Sequence, residues 1–183
     1  MGPWIREATI LRWSELTRDL ARQEIGTGEI LELLIRDSSP ARNVQDSRGL
    51  FGEMESLECV WTGDRLGRRA WDVDHAIAYS LWHNNDLWNL FPAASSTNRN
   101  KRDRLPTRRL LDHRRETIQE TWEFVSSKWP ARFFHEAKLF GDALDAGAKG
   151  WPERLFRSFC EAMEITALQR GVERWEPEKK QCA

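Results

Sequence analysis

The stretch from Asp72 to Pro106, DVDHAIAYSLWHNNDLWNLFPAASSTNRNKRDRLP, concentrates the side chains able to do hydrolytic chemistry. Asp74 and His75 are neighbours, and Asn98 and Lys101 follow in one short run. Hydrolysis of a phosphodiester needs an activated water, charge stabilisation on the phosphorane and help for the leaving oxygen. An Asp–His pair at a strand end supplies the first and part of the others. Adjacent strand residues point to opposite sides, so a carboxylate can grip a metal while the imidazole faces the attacking water. Asn98 adds an oxygen donor from the following element. One carboxylate and one amide oxygen form a hard, incomplete shell that suits Mg²⁺ or Mn²⁺ and leaves positions for water and phosphate oxygens. Lys101 lies one helical turn beyond Asn98 and can face the same phosphate.

Positioning these groups takes a strand, a loop and a helix. LECVW, residues 57–61, is rich in strand formers, TGDRLG reads as a turn, and AWDVDH alternates apolar and acidic residues. The expectation is a β-hairpin over 57–75. Residues 79–92 read as an aromatic, Asn-rich loop anchored by Trp82 and Trp88, followed by a short helix from about Ala94 to Arg102. The flanks read as helical. Ile10, Leu11, Trp13, Leu16 and Leu20 mark a helix over 5–24, Ile30 to Ile35 a second over 28–36, and 37–52 a connecting loop. Leu111, Ile118, Trp122 and Val125 share a face of one helix from about Thr107 to Lys128, and Pro130 opens another. Trp151 to Met163 lie on a last helix that stops near Gly171. The tail from Trp175 reads as polar and frayed. The fold class is thus α+β and mostly helical, with an N-terminal helical segment (1–52), a core (53–106) and a C-terminal helical segment (107–183).

The segment 57–106 resembles the HNH, or ββα-metal, nuclease family, in the variant with Asn in the third signature place. The signature falls on His75, Asn89 and Asn98 with Asp74 adjoining. It is especially similar to the HNH domain of RNA-guided CRISPR effector nucleases in the spacing of DVDH, the central Asn, the NR-x-K element and a following Pro. The resemblance implies that His75 is the general base and that Asp74 and Asn98 hold the metal. It implies that Asn89 ties the loop so that His75 is oriented, and that Lys101 contacts the phosphate or transition state. Many relatives carry two CxxC pairs around a structural zinc. This chain has Cys59 alone in CVWTG, so no structural zinc is expected, and Trp61 and Trp71 are expected to hold the core instead.

Charge sharpens the partner. Lys and Arg total 28 against 29 Asp and Glu, yet RNKRDRLPTRRLLDHRR is strongly basic. Arg99, Lys101, Arg102, Arg104, Arg108 and Arg109 are expected to track a phosphate backbone, duplex DNA more readily than single strands. His83 and His113 lack any such context and are read as surface or packing residues. Three cysteines without a CxxC pair indicate no disulfide framework. No signal-like or membrane-spanning run is present, so a cytoplasmic protein is expected. Two functions remain open at this point. One is an endonuclease in restriction or phage defence. The other is a nucleic-acid-binding or assembly module whose core needs a larger subunit, or a homodimer made through the helical flanks.

Overall fold

Trp71–His75 forms strand β1, and its antiparallel partner is β2, Leu90–Ala94, in the register Trp71↔Ala94, Val73↔Pro92 and His75↔Leu90. The computed structural model describes residues 3–22, 24–35, 42–67, 70–140 and 148–178. The hairpin expected over 57–75 is therefore corrected. Residues 57–66 close on themselves around Gly63, through Cys59 N–H to Asp64 O (2.9 Å) and a single Glu58–Arg65 bridge. The true partner of β1 lies in the segment read as loop. Pro92 disguises it, since proline is rare inside strands. Its carbonyl accepts the Val60 N–H (2.9 Å) and so points away from β1. The ring nitrogen points the same way, and the missing N–H costs the β1–β2 ladder nothing.

Contacts divide the chain into two units, Met1–Ser39 and Pro40–Ala183. The first contains α1 (Pro3–Leu20) and α2 (Thr27–Ile35), joined through Arg18 Nη1 to Thr27 Oγ1 (3.3 Å). Ser14 and Ile30 are buried there, whereas Leu11, Trp13, Leu16 and Leu20, the expected apolar stripe, are exposed.

The second unit holds α3 (Gln45–Phe51), α4 (Tyr79–Trp82), α5 (Ser95–Lys101), α6 (Arg108–His113), α7 (Arg115–Lys128), α8 (Pro130–Ala137) and α9 (Trp151–Arg170). Helix α3 corrects the loop expected over 37–52; residues 36–41 lie outside the described ones. Its two core residues, Leu50 and Phe51, sit together at one end, so no helical period is visible. The helix expected over 107–128 is broken at Arg114, whose Nε donates to Val60 O (2.8 Å). Thr107 caps α6 by accepting the Leu110 N–H. Gly171, at φ 63°, ends α9 in the left-handed conformation that glycine adopts without strain.

The tail expected to fray from Trp175 is corrected at its start, and residues 179–183 lie outside the described ones. Strand β4, Arg174–Trp175, pairs in parallel with β3, Leu105–Pro106, and Trp175 is buried with Nε1 on Asn100 Oδ1 (2.7 Å). One apolar cluster joins α3, both strands of the first sheet and α7–α9, with Trp61, Trp88, Trp122, Phe91 and Phe159 at its centre. Trp122 and Phe159 meet edge-on at 5.3 Å, and Phe91 tilts against both. Among the described residues, no helix is long and apolar enough to cross a membrane.

Candidate active site

The end of β1 carries Asp74 and His75 into the floor of a cavity of about 560 Å³. Helix α5 packs across β1 and β2 and brings Asn98 to the same cavity. Arg42, Arg99, Arg102, Tyr79, Ser80, His83 and Asp103 complete the lining.

Asp74 is almost fully buried, and both carboxylate oxygens are engaged. Trp61 Nε1 donates to Oδ2 at 2.7 Å and Lys101 Nζ to Oδ1 at 3.2 Å. Burial pushes the Asp74 carboxyl above its usual range, and the Lys101 charge with the two N–H donors pulls it back. Each carboxylate oxygen keeps a second lone pair, so two donors do not exhaust the group.

Lys101 has no exposed surface. Its ammonium also donates to the His75 carbonyl at 2.7 Å, which straps α5 onto β1. It was expected to face phosphate; it points inward instead. A helix run of Asn98, Arg99, Asn100, Lys101 must place one member against the strand, and the i+3 spacing alone does not say which.

His75 is buried against Tyr79, ring centroids 5.6 Å apart. Burial lowers its pKa to about 4, the Arg42 and Lys101 charges acting in the same direction while Asn85 and the Asn84 backbone oppose. The imidazole is therefore neutral at pH 7, the state a general base requires. Asn89, fully buried, binds Ile77 at both ends: its Oδ1 accepts Ile77 N–H (2.7 Å) and its Nδ2 donates to Ile77 O (2.9 Å). A further bond reaches Asn84 Oδ1 (3.3 Å). The chain leaving His75 is thereby clamped to the loop that returns to β2.

The basic run separates in space. Arg99 and Arg102 line the cavity, and both continue with Arg104 into a neighbouring groove of about 600 Å³ that Asn100, Asp103 and Glu173 also line. Arg108 and Arg109 do not line either one. Arg108 is paired with Asp112 (3.0 Å), and Arg109 with Glu176 beside a separate cavity of about 460 Å³. Arg102, which follows α5, holds a positive φ of 56°, uncommon for a residue with a Cβ. His83 is exposed, packs edge-on against Tyr79 (ring centroids 5.5 Å) and lines the site cavity, and His113, also exposed, lines the separate one.

Sequence reasoning missed Trp61 as a partner of Asp74, and it missed Asn85, Tyr79 and Arg42 altogether. Trp61 carries no signal that separates a core tryptophan from one whose N–H is used. Asn85 stands in a conspicuous Asn-Asn-Asp run, but nothing in that run says which amide turns toward His75.

A buried Asp–His pair, an amide-bearing helix across it and three arginines thus share one cavity. Residues 59–107 match the family model described as HNH endonuclease, so the chain carries an HNH-family domain over that segment. That domain supports nuclease chemistry on nucleic acid with a divalent metal. Neither a curated protein nor a solved structure matches the chain.

Proposed function

We propose that the protein is a metal-dependent endonuclease that cuts DNA, duplex more readily than single-stranded, with His75 activating the attacking water. The observation that carries this reading is that Asp74, His75 and Asn98 line one cavity whose rim holds Arg42, Arg99 and Arg102. Asp74 and Asn98 are the ligands we assign to Mg²⁺ or Mn²⁺. The donor set fits a hard cation: both ligands are oxygens, and the Asn98 side chain is half-buried at the cavity wall. Among the described residues no group of three or more His, Cys, Asp or Glu could hold a metal. Water and substrate oxygens are assigned the remaining positions, as is usual for Mg²⁺ at phosphates.

When bound, the cation supplies positive charge for the phosphorane and the leaving oxygen. His75, neutral and buried, takes the proton from water as its oxygen attacks phosphorus in line. Asn89 keeps the His75 end of β1 fixed on the loop, and Lys101 with Trp61 keeps Asp74 in place. Arg99 and Arg102 bind the phosphates on either side of the scissile bond. A role in restriction or phage defence fits such an enzyme.

Plasmid cleavage with Mg²⁺ or Mn²⁺ tests the reading. Cutting is expected to stop in EDTA and to fall by on the order of a hundredfold or more in His75→Ala. Undiminished cutting by His75→Ala sinks the assignment of the base, and undiminished cutting in EDTA sinks the role of the cation.

A further inference from the structure

Asn85 lies in the loop between α4 and β2, and its Oδ1 stands 3.2 Å from Nε2 of His75. The same oxygen accepts the backbone N–H of Asn43 at 3.3 Å. Asn43 is itself held at the start of α3, where its Oδ1 accepts the Gln45 N–H at 3.0 Å. These contacts decide a question that ring positions alone leave open, namely which imidazole nitrogen carries the hydrogen.

A backbone N–H can only donate. The atom of the Asn85 amide that faces it must be the oxygen and not the nitrogen. An amide oxygen can only accept, so the His75 nitrogen on its other side must be the donor, Nε2–H. The remaining nitrogen, Nδ1, is then the one with the lone pair. It is buried and has no hydrogen-bond partner among the described residues. The other tautomer would place two acceptors face to face at Asn85 and bury an N–H without an acceptor at Nδ1. An orphaned N–H is the costlier defect of the two, because a lone pair left unmatched is tolerated more often.

We propose that Asn85 is a positioning residue that fixes His75 as the Nε2–H tautomer and so leaves Nδ1 as the ring nitrogen with the lone pair. The proton-accepting role rests on the reading of His75 as general base; the tautomer does not. Asn85 works with Asn89, which clamps the backbone on one side of the loop while Asn85 sets the ring on the other. Its part in the reaction is assigned through the imidazole, while its bond to the Asn43 N–H anchors it to the start of α3.

The test is the ring itself. In the ¹⁵N-labelled full chain at neutral pH, long-range ¹H–¹⁵N correlations report each histidine tautomer, and a His75→Gln spectrum identifies the His75 signals. The wild-type ring is expected as Nε2–H. In Asn85→Ala it is expected to shift to a mixture, with kcat for DNA falling on the order of tenfold to a hundredfold and KM unchanged. Asn85→Asp keeps an acceptor oxygen at the same place and is expected to keep the Nε2–H form. A wild-type ring protonated at Nδ1 overturns the proposal, as does an Asn85→Asp ring that loses the Nε2–H form. A folded Asn85→Ala chain whose ring stays wholly Nε2–H overturns it as well. If the wild-type chain cuts no nucleic acid, the nuclease reading fails while the ring spectrum still decides the tautomer.

Discussion

A lysine with no exposed surface has left water entirely, and only the groups around its ammonium can compensate. Lys101 has two: the Asp74 carboxylate at 3.2 Å and the His75 carbonyl at 2.7 Å. The pair is mutual, because Asp74 is equally cut off and has Trp61 as its other donor. Breaking a buried ion pair from one side leaves the other charge stranded, which typically costs about 3–5 kcal/mol. Lys101→Met, which keeps the length and apolar stem of the side chain, is expected to lower stability by roughly that amount in urea denaturation. A lysine that served only to touch phosphate would behave in the opposite way, with DNA affinity weakened and stability kept. A Lys101→Met chain within about 1 kcal/mol of wild type therefore removes the strap from α5 to β1 as an explanation.

At the scale of elements, the question is what the C-terminal helices do for a site they do not line. The loop between α4 and β2 carries Asn84, Asn85 and Asn89, and α7–α9 hold it. Leu87 N–H donates to Glu136 on α8 (2.6 Å), Trp122 on α7 donates to Trp88 O (2.9 Å), and Trp82 reaches Thr166 on α9 (3.0 Å). The helical coat thus completes the core and fixes the loop that faces His75. Glu136→Ala strands a buried N–H, and a loss of about 1–3 kcal/mol is expected. Glu136→Gln keeps an acceptor and is expected to stay near wild type; equal losses in the two variants would show that the Leu87 bond is not what matters. The legibility of these elements in the sequence follows from the range of their interactions. Helix α5 and the Asp74–His75 strand end announce themselves through local period and spacing. Strand β2 is an apolar run with a proline at its middle, and only its neighbours make it a strand. Strand β4 is two residues long and exists because Trp175 finds Asn100 across the chain. Asp74, His75 and Asn98 stand out by residue type and spacing and Asn89 only through the resemblance to the HNH family, whereas Trp61 and Asn85 reach the cavity residues by contacts that no spacing encodes.

For the whole molecule, near-neutral charge conceals a division of labour among its arginines. The 28 basic and 29 acidic residues cancel in sum, but they do not cancel locally. Arg108 and Arg109 face acids on their own surface, whereas Arg99 and Arg102 line the cavity and, with Arg104, the adjoining groove. An arginine that neutralises a phosphate releases a counterion, so each such contact contributes to the slope of log affinity against log salt by about 0.9 on duplex DNA. An arginine already paired within the protein contributes little, because its counterion is a carboxylate that stays. With DNA binding measured across a salt series and the cation withheld by EDTA, Arg99→Ala and Arg102→Ala are each expected to flatten the slope by about one contact. Arg108→Ala and Arg109→Ala are expected to leave it unchanged. The same basic run thus predicts two outcomes, separated only by where the fold sends each side chain. If all four variants flatten the slope alike, the polyanion lies along α6 as well as over the site cavity, and the path proposed for the DNA is wrong.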